Sequence, residues 1–326
     1  MTACRPNGSS PDVDISTPAP TSKSTTTPTP EPTPTPAPYT IVTVDSQLVN
    51  DGELVLVNWA HEYENTDTAS TVLAAEYAGD HLLLESDQAR LSSDALEALN
   101  SLADGFFEVT GGDRLFVTSG YRTVEYQAWL YADYVEANGE ELAKIYVADP
   151  GYSEHHTGLA VDLSTMSAAG ERVALVNHEL AAWLNTNCAR FGFILRYPVG
   201  KTELTHIAYE PWHFRYLGLA NALAVAGLDI TYEEYVEHIR QYSIETGMLH
   251  VTPMRDDGSM AGDAVDGAGL ALLDVAMLGG IPDEGYLIYY VTASETGVTE
   301  VRIPVEAESY SISGDNDGGF IITVTL

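Results

Sequence analysis

From residue 39 onward, apolar side chains recur at short, regular intervals. Leu91, Leu96, Leu99 and Leu102 fall at helical spacing, with Ser93-Asp94 as a cap and Gly105 as a stop, which predicts a helix over 91–105. Further helices are expected over 124–137, over 168–191 and over 231–246; in the second, Leu175, Leu180, Trp183 and Leu184 mark one face. The unbroken run Leu54-Val55-Leu56-Val57 reads as a buried strand within 53–58. Short strands are expected at 115–118, 160–163, 193–196 and 205–209. After His250 the texture changes: 256–267 is rich in Gly and Asp, while 286–291, 300–305 and 320–326 are β-branched and aromatic around a turn cluster at 314–319. The pattern predicts an α+β domain over 39–250 and a small β-rich accessory subdomain over 251–326.

The first 38 residues follow another rule. Nine of the 16 prolines fall within 28 positions, 11–38, among Thr, Ser and Ala. Such a segment buries too little apolar surface to fold and is expected to be an extended, disordered tether of roughly 80–90 Å. Ahead of it, Thr2-Ala3-Cys4 places two small residues before a cysteine, like the end of a bacterial lipoprotein processing site. A lipid on Cys4 is therefore the expected membrane link, with the folded part extracytoplasmic. No run of 18 apolar residues offers a spanning helix.

Charge narrows the partners. Lys and Arg total 14 against 48 Asp and Glu, a net charge of −34. A phosphate backbone needs a cationic footprint that this chain lacks, so nucleic acid is excluded as a partner. Cys188, the second of two cysteines, lies among Trp183–Phe193 and reads as a small buried hydrophobe. Several partial motifs fail. His178-Glu179 has Ala182 where a zincin helix needs its second histidine, and Gly200-Lys201-Thr202 has Leu195 where a phosphate loop needs glycine. Gly151–His155 lacks the closing glycine of a nucleophile elbow, and Asp315-Asn316-Asp317-Gly318 lacks the terminal glutamate of a calcium loop.

Two segments carry a complete set. They are Tyr152-Ser153-Glu154-His155-His156-Thr157-Gly158-Leu159-Ala160-Val161-Asp162 and Tyr209-Glu210-Pro211-Trp212-His213-Phe214. A hydrolytic zinc ion takes three N or O ligands and leaves one position for water. His155, Asp162 and His213 supply that set for one Zn2+, provided that the chain turns at Gly158. Glu210 lies three residues before His213. A straight strand would point the two to opposite faces, so a bend at Pro211 is required for Glu210 to serve as general base.

Ser153-x-His155-x-x-Gly158-x-Ala160-x-Asp162 followed by Glu210-x-Trp212-His213 resembles the VanY-type D-alanyl-D-alanine carboxypeptidases. These are zinc peptidases of a superfamily shared with the D,D-dipeptidases and the hedgehog domain. Ser119-Gly120-Tyr121-Arg122 with Tyr126-Gln127, Gly192–Pro198 and His213–Gly218 extend the likeness to about residues 54–220. The resemblance implies a compact domain with an antiparallel sheet floor and flanking helices. It also implies Glu210 as proton shuttle, Arg122 beside the scissile carbonyl or substrate carboxylate, and Gln127 and Ser153 on the terminal D-residue. Trp212 belongs either to the core or to the cleft wall as a substrate contact. His156 and His206 are expected to be structural or rim residues. The implied substrate is the peptidoglycan stem peptide with its C-terminal D-alanine. An L,D-carboxypeptidase acting on tetrapeptides, a dipeptidase acting on free D-Ala-D-Ala and a non-catalytic zinc-containing module remain alternatives at this point.

Overall fold

The computed structural model describes residues 39–65, 70–252, 271–275 (backbone only), 285–295 and 297–326. The expected tether, Cys4 and the Gly/Asp-rich stretch 256–267 lie outside them. In chain order the strands are β1 (Tyr39–Asp45), β2 (Thr71–Leu73), β3 (Leu82–Leu84), β4 (Arg90–Ser92), β5 (Arg114–Ser119), β6 (Ala160–Met166), β7 (Arg172–Val173), β8 (Phe193–Leu195) and β9 (His213–Tyr216). They continue as β10 (Met248–Thr252), β11 (Ala271–Val275), β12 (Tyr286–Thr292), β13 (Val298–Pro304), β14 (Ser309–Gly314) and β15 (Gly319–Thr325). The helices are α1 (Ser93–Thr110), α2 (Val124–Asn138), α3 (Glu140–Tyr146), α4 (Ala181–Asn187), α5 (Thr202–Thr205), α6 (Leu219–Leu228) and α7 (Tyr232–Ile239).

One sheet runs β3-β5-β6-β9-β8, with β7 also paired to β6; it is antiparallel except for the parallel β3–β5 pair. Its apolar face meets α1, whose Leu96, Leu99, Leu102 and Phe106 pack with Leu115, Val117, Val161, Phe193 and Phe214. A second antiparallel sheet runs β11-β10-β12-β15-β14. Its core joins Leu287, Ile288, Ile321 and Val324 to Leu223, Tyr235, Val236 and Ile239 of α6 and α7 and to Leu54. Strand β10, which straddles position 250, lies inside this sheet, and β1 pairs along β13.

Several expected elements take another form. Helix α1 begins at an Ser92 cap and runs through Gly105 to a left-handed Gly111. Gly105 continues the helix because its bare face is where Phe191 packs: a Cβ there would sit 3.0 Å from the Phe191 ring. The helix expected over 168–191 is broken. A turn closed by Glu171 N donating to Ser167 Oγ and Ser167 N donating to Glu171 O leads into β7, and only 181–187 is α-helical. Residues 54–58 are buried, but 53 and 54 lie in a turn and the segment forms no strand. Arg215 binds the carbonyls of Glu53 and Val55, Tyr232 that of Leu54 and Asn316 that of Leu56, so side chains take the bonds a neighbouring strand would offer. Residues 205–209 form a helix cap, with His206 left-handed at φ 59°, rather than a strand. Helix α7 ends at Ile239, short of 246.

Candidate metal centre and active cleft

Local backbone geometry brings the two motifs together. Strand β5 ends in a bulge between Val117 and Ser119, and the chain turns at Gly120. Only glycine fits there, since a Cβ would lie 2.4 Å from the Arg90 carbonyl oxygen. Arg122 N then donates to His155 O at 3.1 Å, and His156 Nδ1 donates to Arg122 O at 2.8 Å. His156 also accepts from Gly151 N, which makes it a structural residue. Residues Glu154–Thr157 form a 3₁₀ turn that closes on left-handed Gly158, φ 73°, and launches β6. Within the sheet Asp162 stands directly opposite His213, so antiparallel pairing alone puts carboxylate and imidazole side by side.

His155, Asp162 and His213 are buried, and each offers a ligand atom within 4.8 Å of the others. His155 Nδ1 donates to Gly120 O at 2.6 Å, which leaves Nε2 with its lone pair. That Nε2 is buried, has no hydrogen-bond partner and lies 3.3 Å from Asp162 Oδ2. His213 presents Nδ1 to Asp162 Oδ1 at 3.0 Å, with Nε2 3.4 Å from Glu154 Oε2. An orphaned ring nitrogen facing a carboxylate and a second imidazole is a donor set that fits zinc. The turn through Pro211 and Trp212, closed by His213 N donating to Glu210 O, brings Glu210 Oε2 to 4.0 Å from His213 Nδ1. The bend required by the sequence is therefore present.

Burial and charge set the proton states. Burial, reinforced by the Arg122 charge, pushes the His155 pKa down to about 4. Burial opposes charge on His213 too, but its bonds to Asp162 and Glu154 outweigh it and hold the pKa at about 9. Burial pushes Glu210 up to about 8. Metal uptake requires neutral imidazoles. In a Glu210→Gln protein, which removes that carboxyl from the count, zinc uptake should release about one proton per ion between roughly pH 5 and 6, below the pKa of about 7 of a zinc-bound water. His213 must lose its proton to bind, whereas His155 is already neutral. Calorimetry in buffers of different ionisation heat counts the proton, and a count of zero would contradict a charged His213.

Glu154 was not singled out by its sequence context. It is fully buried, with Oε1 accepting from Arg196 Nε at 2.7 Å and Arg215 Nη1 at 2.9 Å, and Oε2 facing His213. Burial opposes its ionisation, but the two guanidinium groups prevail and hold its carboxyl well below the usual range. Arg196 also bonds Glu233 of α7 at 2.6 and 3.0 Å. The available signal was Arg196 at the end of the strand expected at 193–196, where a buried cation needs an anion.

The remaining candidates converge on the same cleft, a cavity of about 250 Å³ lined by Arg122, Gln127, Ser153, Tyr197, Glu210 and Trp212 beside the three candidate ligands. Arg122 spans Ser119 Oγ, Gln127 Oε1 and Asp162 Oδ2. Gln127 is buried and donates to Ala148 O at 2.8 Å. Trp212 is half-buried on the wall. Cys188 is buried, and its pKa is pushed up to about 12, so it is no nucleophile. Asp315 of the failed calcium motif is spent on Asp317 N, Gly319 N, Arg240 and Tyr290.

The sequence model of the VanY family, described as D-alanyl-D-alanine carboxypeptidase, matches residues 88–219. A D-alanyl-D-alanine carboxypeptidase of Enterococcus faecium is 27% identical over 289 residues, covering 86% of this chain and 78% of the relative. VanXYC of Enterococcus gallinarum, a bifunctional D-Ala-D-Ala dipeptidase and D-Ala-D-Ala carboxypeptidase, is 37% identical over 38% of this chain and 67% of its own length. Two further curated relatives are matched over only 55% and 49% of their length, so the chain spans about half of each. Among solved structures, the vancomycin resistance D,D-dipeptidase VanXYg, in complex with a D-Ala-D-Ala phosphinate analogue, superposes with a TM-score of 0.69 at 25% identity, covering 88% of this chain and 99% of that one. With its motif residues assembled around one buried His-Asp-His cluster, the chain belongs to the VanY D-alanyl-D-alanine carboxypeptidase family.

Proposed function

We propose that this protein is a zinc-dependent D,D-carboxypeptidase that hydrolyses the C-terminal D-alanine from peptidoglycan stem peptides. The observation that carries the reading is the buried His155–Asp162–His213 cluster with Glu210 4.0 Å from one ligand imidazole, at the floor of a cleft containing Arg122. Zinc held by the three ligands supplies Lewis acidity, polarising the scissile carbonyl and making water a nucleophile near neutral pH. The proton work falls to Glu210, which takes a proton from the attacking water at a carboxylate oxygen and returns it to the departing amine nitrogen. Burial favours the protonated form of Glu210, which helps it hold the proton between those steps, while a zinc ion beside it would favour the carboxylate that first accepts it. Arg122 offers paired donors to the oxyanion or the terminal carboxylate, and Gln127 holds it from below. Ser153 lines the same pocket and supplies a hydroxyl for the terminal D-residue. Retention of both Glu210 and Arg122 speaks against a non-catalytic module.

A second reading, cleavage of free D-Ala-D-Ala, is favoured by the likeness to a D,D-dipeptidase over 88% of the chain. Rates on pentapeptide stem, tetrapeptide stem and free dipeptide, each with and without chelator, separate the readings. The proposal expects fastest release from the pentapeptide and none with chelator. Preference for the dipeptide supports the second reading, and preference for the tetrapeptide makes the enzyme an L,D-carboxypeptidase. The Pro/Thr-rich segment behind Cys4 supports an extracytoplasmic place for the enzyme, held to the membrane by lipid on Cys4. Among the described residues no helix is long and apolar enough to cross a membrane.

A further inference from the structure

Beside the catalytic cleft lies a smaller pocket that shares Val147, Ala148, Tyr197 and Ile207 with it. Its outer wall is Trp59, which leaves 57% of its surface exposed. The indole stacks on the His206 imidazole, with ring centroids 4.1 Å apart and planes within 20°. The backbone beneath both rings is tied in place. Trp59 sits in a turn whose ends, Asn58 and His61, bridge each other, and Asn58 Oδ1 accepts from Ala60 N and His61 N. Asn58 is tied in turn to Glu233, the carboxylate that binds buried Arg196. His206 is fixed by its left-handed cap and by the bond from Ala208 N to Ile145 O. An exposed tryptophan stacked on a neighbouring ring beside the cleft is apolar surface that the described part of the fold leaves open to a ligand.

The reaction decides what passes there. A carboxypeptidase's substrate has one residue beyond the scissile bond, and that residue ends in a carboxylate. Everything else lies on the acyl side, so a second pocket bordering the cleft has only the acyl side to receive. We infer that the Trp59–His206 wall is an acyl-side subsite that takes a backbone or aliphatic face of the stem peptide N-terminal to the scissile bond; this rests on the carboxypeptidase reading. At about 50 Å³ the pocket holds a face or a methyl group, not a whole residue. Lys144 and Asp149 stand on its rim with opposite charges, so shape rather than net charge does the selecting. Free D-Ala-D-Ala is too short to occupy both pockets.

The test is a binding comparison in the full-length Glu210→Gln protein loaded with zinc, which keeps the peptides intact. The Kd of the N-acetylated pentapeptide L-Ala-γ-D-Glu-L-Lys-D-Ala-D-Ala is set against that of N-acetyl-D-Ala-D-Ala, with and without Trp59→Ala. The preference for the longer peptide should fall about tenfold on removing the indole, and Trp59→Phe should restore most of it. An unchanged preference overturns the subsite. Binding of the pentapeptide with the expected Trp59 dependence, but no D-alanine release by the native protein, contradicts the enzymatic reading and leaves the subsite standing. No binding of either peptide overturns both.

Discussion

Glu210→Gln is expected to bind zinc like the native chain while D-alanine release falls by about 10²–10⁴-fold. The expectation follows from position. Glu210 Oε2 stands 4.0 Å from His213 Nδ1, outside the cluster of candidate ligand atoms but against it. Replacing its carboxyl subtracts a proton acceptor without subtracting a ligand. The amide keeps the shape, so the loss should fall on kcat rather than KM. Metal content by elemental analysis and kcat from a D-alanine assay check both halves. A variant that lost its zinc would place Glu210 among the ligands, and one that kept near-native kcat would remove it from the proton transfer.

The largest stability effect is expected at Arg215, which is fully buried. Its Nη1 pairs with Glu154 Oε1 at 2.9 Å, and its Nη2 holds the carbonyls of Glu53 and Val55 at 2.8 and 3.0 Å. Arg215→Met strands part of a buried negative charge and two carbonyls at once. Breaking such a pair from one side costs about 3–5 kcal/mol, which for a chain of this size lowers Tm on the order of 10 °C. Because Glu154 also faces His213 Nε2, the variant should lose zinc more readily to a competing chelator. Lys144→Met, which breaks only an exposed pair with Glu140, should leave Tm unchanged. Equal Tm values for the two variants would contradict the buried network.

The candidate site was more legible in the sequence than the fold around it. His155, Asp162, His213 and Glu210 are chemistry-bearing residues at fixed spacings: a turn at Gly158 and a bend at Pro211 shape the two segments, and the pairing of β6 with β9 joins them. Periodicity was weaker evidence for the elements. Gly105 reads as a stop by propensity, yet helix α1 continues because the missing side chain makes room for Phe191. Leu54–Val57 reads as a strand by composition, but its carbonyls go to Arg215 and Tyr232, which lie more than 150 positions away. Glu154 was hidden for the same reason. A carboxylate becomes part of a metal site only when distant Arg196 and Arg215 arrive to neutralise it. The charge of −34 likewise says nothing of the cleft, where Arg122 is set among acidic groups.

The central claim, one zinc in the His155–Asp162–His213 cluster driving hydrolysis, meets its most direct test in a titration. Metal-free protein is supplied with increasing zinc, and the initial rate of D-alanine release from the pentapeptide is followed against the zinc-to-protein ratio. The rate should rise in proportion and break at about one zinc per chain. Release that is already maximal without metal, or a rate that stays at zero past the equivalence point, would contradict it.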